Sequence, residues 1–122
     1  MNVLIVESSK DLAAVWRRHL ERMGAVVYTA DTQDTATDLL HEIPFSVIVL
    51  DLVLEEGSAL AVADFASYRQ PETQVIFVTN TSFFSDGSIF QHCANACAYL
   101  PSATSPSDLA TMVEHYAQVA EG

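Results

Sequence analysis

Five short apolar runs punctuate the chain, at residues 3–6, 26–29, 47–50, 75–78 and 97–100. They are rich in β-branched side chains and too short for helices. Runs of this kind read as strands, and those without polar alternation as strands buried on both faces, which implies a parallel sheet covered by helices. The third run has Phe45-Ser46 as its lead-in and stops at an acid, Asp51. Between the runs the apolar period lengthens to that of a helix. Leu12, Val15, Trp16, Leu20 and Met23 predict a first helix over about residues 9–23, with Ser8 and Asp11 as a capping box and Gly24 as its left-handed end. Ala36, Leu39, Leu40 and Ile43 predict a second helix, capped by Asp31 or Thr32 and stopped by Pro44. A third, over 58–68, carries Leu60, Ala63 and Phe65, and Pro71 closes its connection to the next strand. Residues 80–88 read as a polar loop interrupted by Phe83 and Phe84. A short fourth helix follows to about Ala94, with Ile89, Phe90 and Cys93 inward and Asn95 at its end. Ser105 and Pro106 open a fifth, with Asp108 in its first turn and Leu109, Met112, Val113 and Tyr116 along its apolar face. Five alternations of strand and helix predict one α/β domain over residues 1–122, a parallel sheet with helices on both faces and right-handed crossovers.

Composition sharpens this picture. Half of the 122 residues are hydrophobic, enough for a core, yet no run approaches the ~20 apolar residues of a membrane span. The first residues lack the basic lead-in of a secretory signal, so a cytoplasmic setting is expected. The formal charge of −11 excludes nucleic-acid binding, which needs Lys and Arg to neutralise phosphates. The few bases are clustered: Lys10, Arg17, Arg18 and Arg22 fall in one segment, Arg69 is the only other, and Lys10 is the only lysine. Cys93 and Cys97 are read as small core residues, because structural zinc takes four Cys or His ligands.

Candidate chemistry lies at strand ends. In open parallel sheets the ligand crevice lies at the carboxyl ends of the strands, and there the chain places Glu7, Asp51 and Thr79. Two converging carboxylates repel unless a cation sits between them, and a hard cation such as magnesium binds through carboxylates, carbonyls and water. The plainer alternative is three polar strand ends that meet solvent separately, with Asp51 starting a turn.

LIVESS at the first strand, VIVLDLVLEEGSAL around Asp51, VIFVTN at the fourth strand, ANACAYLPS at the fifth and VYTADTQDTATDLL at the second strand–helix junction carry a resemblance over the whole chain. It resembles the receiver domain of bacterial two-component response regulators. The resemblance implies a flavodoxin-like, doubly wound (βα)5 fold of strand order 2-1-3-4-5. It implies that Asp51 accepts a phosphoryl group from a histidine kinase or phosphotransfer protein, a signalling role rather than an enzyme's. Glu7, Asp51 and the Val53 carbonyl would hold magnesium, and Thr79 and Tyr99 would act as the switch that reports phosphorylation. The family also pairs through the face of its fourth helix, fifth strand and fifth helix, which Phe83 and Phe84 border, so a homodimer there is a further expectation.

The departures point to weakened chemistry. The family's acidic pair falls on Glu7 and Ser8, so one carboxylate is missing. Its lysine–proline pair after the fifth strand falls on Ser102 and Ala103. Glu55 and Glu56 add negative charge after Asp51. Removing one charged contact to a transferring group costs about 3 kcal/mol, roughly a hundredfold in rate. Impaired phosphorylation with weak or absent magnesium binding is therefore expected. The alternative is a phosphorylation-independent pseudo-receiver that acts as an interaction or dimerisation module. A small flavodoxin-like ligand binder is disfavoured, since no Gly-rich phosphate loop follows the first strand. Lys10 as a substitute cation, Arg18 and Arg22 as a docking face, and the four histidines carry no assigned role.

Overall fold

The computed structural model describes residues 1–79 and 96–121. The expected loop at 80–88 and the short fourth helix, with Phe83, Phe84, Phe90 and Cys93, lie outside the described residues. The strands are β1 (Asn2–Val6), β2 (Val26–Ala30), β3 (Val47–Asp51), β4 (Gln74–Thr79) and β5 (Ala96–Pro101). The helices are α1 (Lys10–Arg22), α2 (Gln33–Glu42), α3 (Ala59–Arg69) and α4 (Pro106–Glu121), the last being the expected fifth helix. The strands form one parallel sheet in the order β2-β1-β3-β4-β5, as the resemblance implies. Among the described residues no helix is long and apolar enough to cross a membrane.

Side chains alternate across a strand, so the uninterrupted apolar runs feed two cores. Val3, Ile5, Val47, Val49, Ile76 and Val78 face Ala13, Trp16 and Leu20 of α1 and Leu109, Val113 and Ala117 of α4. Leu4, Val6, Ile48, Leu50, Val75 and Phe77 face Ala36 and Leu40 of α2 and Val62, Ala63 and Ala66 of α3. Each aliphatic or aromatic side chain fully buried in these layers contributes about 1.5–3 kcal/mol of transfer free energy. Val15, expected inward, is 37% exposed: the buried stripe of α1 runs through Ala13, Trp16 and Leu20.

The caps set the helix starts. Ser9, not Ser8, caps α1, accepting from Leu12 N–H at 3.4 Å. Thr32 caps α2, Ser58 caps α3, and Ser105 accepts from Asp108 N–H at 3.2 Å at the start of α4. Gly24 closes α1 with a φ of +98°, a left-handed conformation that side chains disfavour. At the opposite end of the sheet from the expected crevice, Gln70 ties α2 and α3 to β3. Its Nε2 donates to Leu40 O at 2.8 Å and Ile43 O at 2.7 Å, while its Oε1 accepts from Phe45 N–H at 2.8 Å and Thr73 Oγ1 at 3.1 Å.

Candidate functional site

Parallel pairing aligns the carboxyl ends of β1, β3 and β4. Val6 is level with Leu50, Asp51 with Val78, and Thr79 extends one residue beyond. Glu7 follows β1 directly, and its N–H donates to Ala30 O of β2 at 3.0 Å, which fixes its backbone at the sheet edge. Glu7 is buried, 5% exposed, an uncommon state for a carboxylate. Its Oε1 accepts from Ser9 N–H at 3.0 Å, and its Oε2 is buried with no hydrogen-bond partner. Burial pushes the Glu7 carboxyl up to about 7. The Ser9 N–H opposes that rise, while the adjacent Asp51 carboxylate adds to it.

The structure therefore brings the two expected carboxylates together. Asp51, half-buried, accepts from Val53 N–H at 3.0 Å through Oδ1, so the loop after β3 folds back over its own acid. Thr79 is buried at the end of β4, and its carbonyl accepts from Ser102 N–H at 2.8 Å. Tyr99 is half-buried on β5, level with Phe77 and packed against the α2–α3 core. Glu7 and Asp51 continue the alternation of the α1–α4 face, whereas Thr79 and Tyr99 continue that of the α2–α3 face. Acceptor and switch candidates thus occupy one end of the sheet but approach it from opposite faces.

An orphaned buried carboxylate oxygen beside a second carboxylate, with the Val53 carbonyl in the same loop, is a donor set suited to a hard cation. Among the described residues no third Asp, Glu, His or Cys joins them. Ser8 is occupied otherwise: its Oγ accepts from Glu55 N–H at 2.9 Å, across 47 residues of sequence. Glu55 and Glu56 project into solvent. Lys10 lines, with Glu7, Ala13, Arg17, Thr29 and Asp31, a hollow of about 370 Å3 between α1 and the ends of β1 and β2. Arg17 is paired with Glu21 at 3.4 Å, a half-exposed contact of small energetic weight, so Glu21 is taken by Arg17 rather than by Arg18 or Arg22.

Two anchors of the β3–α3 loop escape sequence reasoning. One is Ser8. The other is Gln33, the first residue of α2, whose N–H donates to Glu56 O at 3.3 Å and whose Oε1 accepts from Ser58 N–H at 2.8 Å. The Gly57–Ser58 pair signalled a turn, but no local pattern signalled its partner.

A family model described as the response regulator receiver domain matches residues 3–114. The response regulator receiver protein CpdR of Brucella abortus (strain 2308) is 29% identical over 77 residues, which cover 63% of this chain and 64% of that protein. The match therefore spans less than two thirds of that curated relative. A CheY-like receiver domain protein of Methanospirillum hungatei JF-1 superposes with a TM-score of 0.89 at 21% identity, over 98% of this chain and 95% of that one. A response regulator from Burkholderia pseudomallei, solved with a phosphorylated aspartic acid, a calcium ion and citrate, gives 0.83 at 23% identity, over 98% of this chain and 70% of that one. At these identities the superpositions speak for the fold.

Proposed function

The chain belongs to the response regulator receiver domain family of two-component signalling, shown by the match over residues 3–114, and we propose that Asp51 is its phosphoacceptor, with impaired chemistry. The observation that carries this reading is the buried Glu7 carboxyl, one oxygen orphaned, set against Asp51 at the end of β3. In the step, a carboxylate oxygen of Asp51 attacks the phosphorus of a phosphohistidine on a kinase or phosphotransfer protein. The O–P bond forms as the P–N bond breaks, and the imidazole leaves with the electron pair and takes up a proton. Glu7, Asp51 and the Val53 carbonyl would hold magnesium, which when bound offsets negative charge on the transferring oxygens. The structurally similar Burkholderia response regulator was solved with a phosphorylated aspartic acid and a calcium ion.

Three features weaken the step. Ser8 supplies no carboxylate and is committed to the Glu55 N–H. Ser102 stands where the family places its lysine, and Lys10, the only lysine of the sequence, lines the hollow between α1 and the ends of β1 and β2. Glu7 also gains an ionisation cost from burial, so a cation must first displace a proton near neutral pH. Thr79 and Tyr99 serve as the switch in this reading, and β5 and α4 contribute to the homodimer surface. The module accepts a group rather than turning over a substrate, in a cytoplasmic relay.

The same three features favour a second reading, a pseudo-receiver that binds its partner without phosphorylation. Intact-mass measurement after incubation with acetyl phosphate and magnesium separates the two. A phosphate-sized gain that vanishes in Asp51→Asn supports the acceptor. No gain, with wild type and variant binding the partner alike, supports the pseudo-receiver.

A further inference from the structure

The loop that carries the Val53 carbonyl is fixed by hydrogen bonds from outside itself at three places. At its β3 end, Leu52 N–H donates to Val78 O at 2.9 Å. Near its middle, Glu55 N–H donates to Ser8 Oγ. At its α3 end the contact is with Gln33 alone: Glu56 O accepts from Gln33 N–H, and Ser58 N–H donates to Gln33 Oε1. Between those last two bonds lies Gly57, with a φ of +93°. Gln33 lies flat against it. A Cβ built on Gly57 would fall 2.3 Å from Gln33 Cβ and 2.7 Å from Gln33 Oε1. The site thus has its most permissive residue held by one half-buried amide from another element. Glycine visits many backbone states once released, so the hold on Gly57 decides where the loop rests.

We propose that Gln33 is a positioning residue for the Asp51 acceptor. It fixes the α3 end of the β3–α3 loop, so that Val53, whose N–H donates to Asp51 Oδ1, stays beside the acceptor. This rests on Asp51 being the acceptor. It adds that α2, which contributes no group to the chemistry, sets the acceptor's geometry. Small misplacement of a reacting group costs one to two powers of ten in rate. The loss of Gln33 therefore acts on the maximal rate more than on donor binding.

The test compares wild type, Gln33→Ala and Gln33→Glu with acetyl phosphate and magnesium, reading the rate of Asp51 phosphorylation against donor concentration. Thermal melting serves as the folding control, and amide exchange of Ser58 and Glu55 is followed by NMR. Glutamate keeps an acceptor oxygen for the Ser58 N–H; alanine does not. The expected result for Gln33→Ala is a maximal rate about tenfold lower, an unchanged half-saturating donor concentration and faster exchange at Ser58. Gln33→Glu should recover most of the rate and the protection. A phosphorylated wild type matched in rate by folded Gln33→Ala overturns the inference alone, as does Gln33→Glu failing as badly as alanine. A wild type that takes no phosphate overturns the acceptor reading and this inference with it.

Discussion

Replacing Glu7 by glutamine isolates the titration of one buried carboxyl. Glutamine keeps the shape and mimics the protonated acid, but it cannot ionise. In the folded protein the Glu7 carboxyl is raised from 4.5 to about 7, chiefly by burial. A folded-state value above the unfolded one means that the native state holds the proton more tightly. The stability this confers is complete below about pH 4.5 and is lost as pH rises through 7. At about 1.4 kcal/mol per tenfold change, the full loss is roughly 3 kcal/mol, a large part of a small domain's stability. Carboxylates remote from Glu7 are common to wild type and variant and cancel in the difference. Urea denaturation from pH 4.5 to 8, in chelator to keep metal away, measures that difference. Glu7→Gln should match wild type near pH 4.5 and exceed it progressively, by about 3 kcal/mol above pH 7. A difference that stays flat across this window would refute the assignment of Glu7 as a carboxyl ionised against its surroundings.

Two further predictions concern the frame of the site. Gly57→Ala must place a Cβ 2.3 Å from Gln33 Cβ, in addition to taking a left-handed backbone, whereas Gly24→Ala meets nothing within 4 Å. The first should cost at least about 2 kcal/mol and the second about 1 kcal/mol, the left-handed penalty alone; equal shifts in urea midpoint would contradict the close approach of Gln33. Gln70→Leu strands Phe45 N–H and the carbonyls of Leu40 and Ile43, which Gln70 bonds at 2.7–2.8 Å. Leaving such groups unpaired should cost about 3 kcal/mol, read by the same denaturation assay, with a near-neutral result counting against the clamp.

The strands were legible because their signal is local. Residues 3–6, 47–50 and 75–78 are apolar at every position, and the structure buries them on both faces. The pairing of Glu7 with Asp51 followed from topology, since parallel strands bring their carboxyl ends to one edge. The cap of α1 shifted by one residue, from Ser8 to Ser9, because adjacent serines offer the same hydroxyl and only the path of the chain selects one. Freed from capping, Ser8 reaches Glu55. Contacts such as Ser8–Glu55, Gln33–Ser58 and Gln70–Leu40 join residues 25 to 47 apart. They depend on where loops and helix ends fall once the layers have packed, and no periodicity encodes them.

The central sheet is also a partition. Side chains of α1 and α4 meet one set of strand residues, those of α2 and α3 the alternate set, and the two groups share no member. Damage or repair in one compartment therefore reaches the other through the backbone of the strands they share. Paired substitutions on opposite sides of that wall should act as independent events, while those within a compartment interfere with each other. Such a molecule can drift in sequence on one flank while the other keeps its shape.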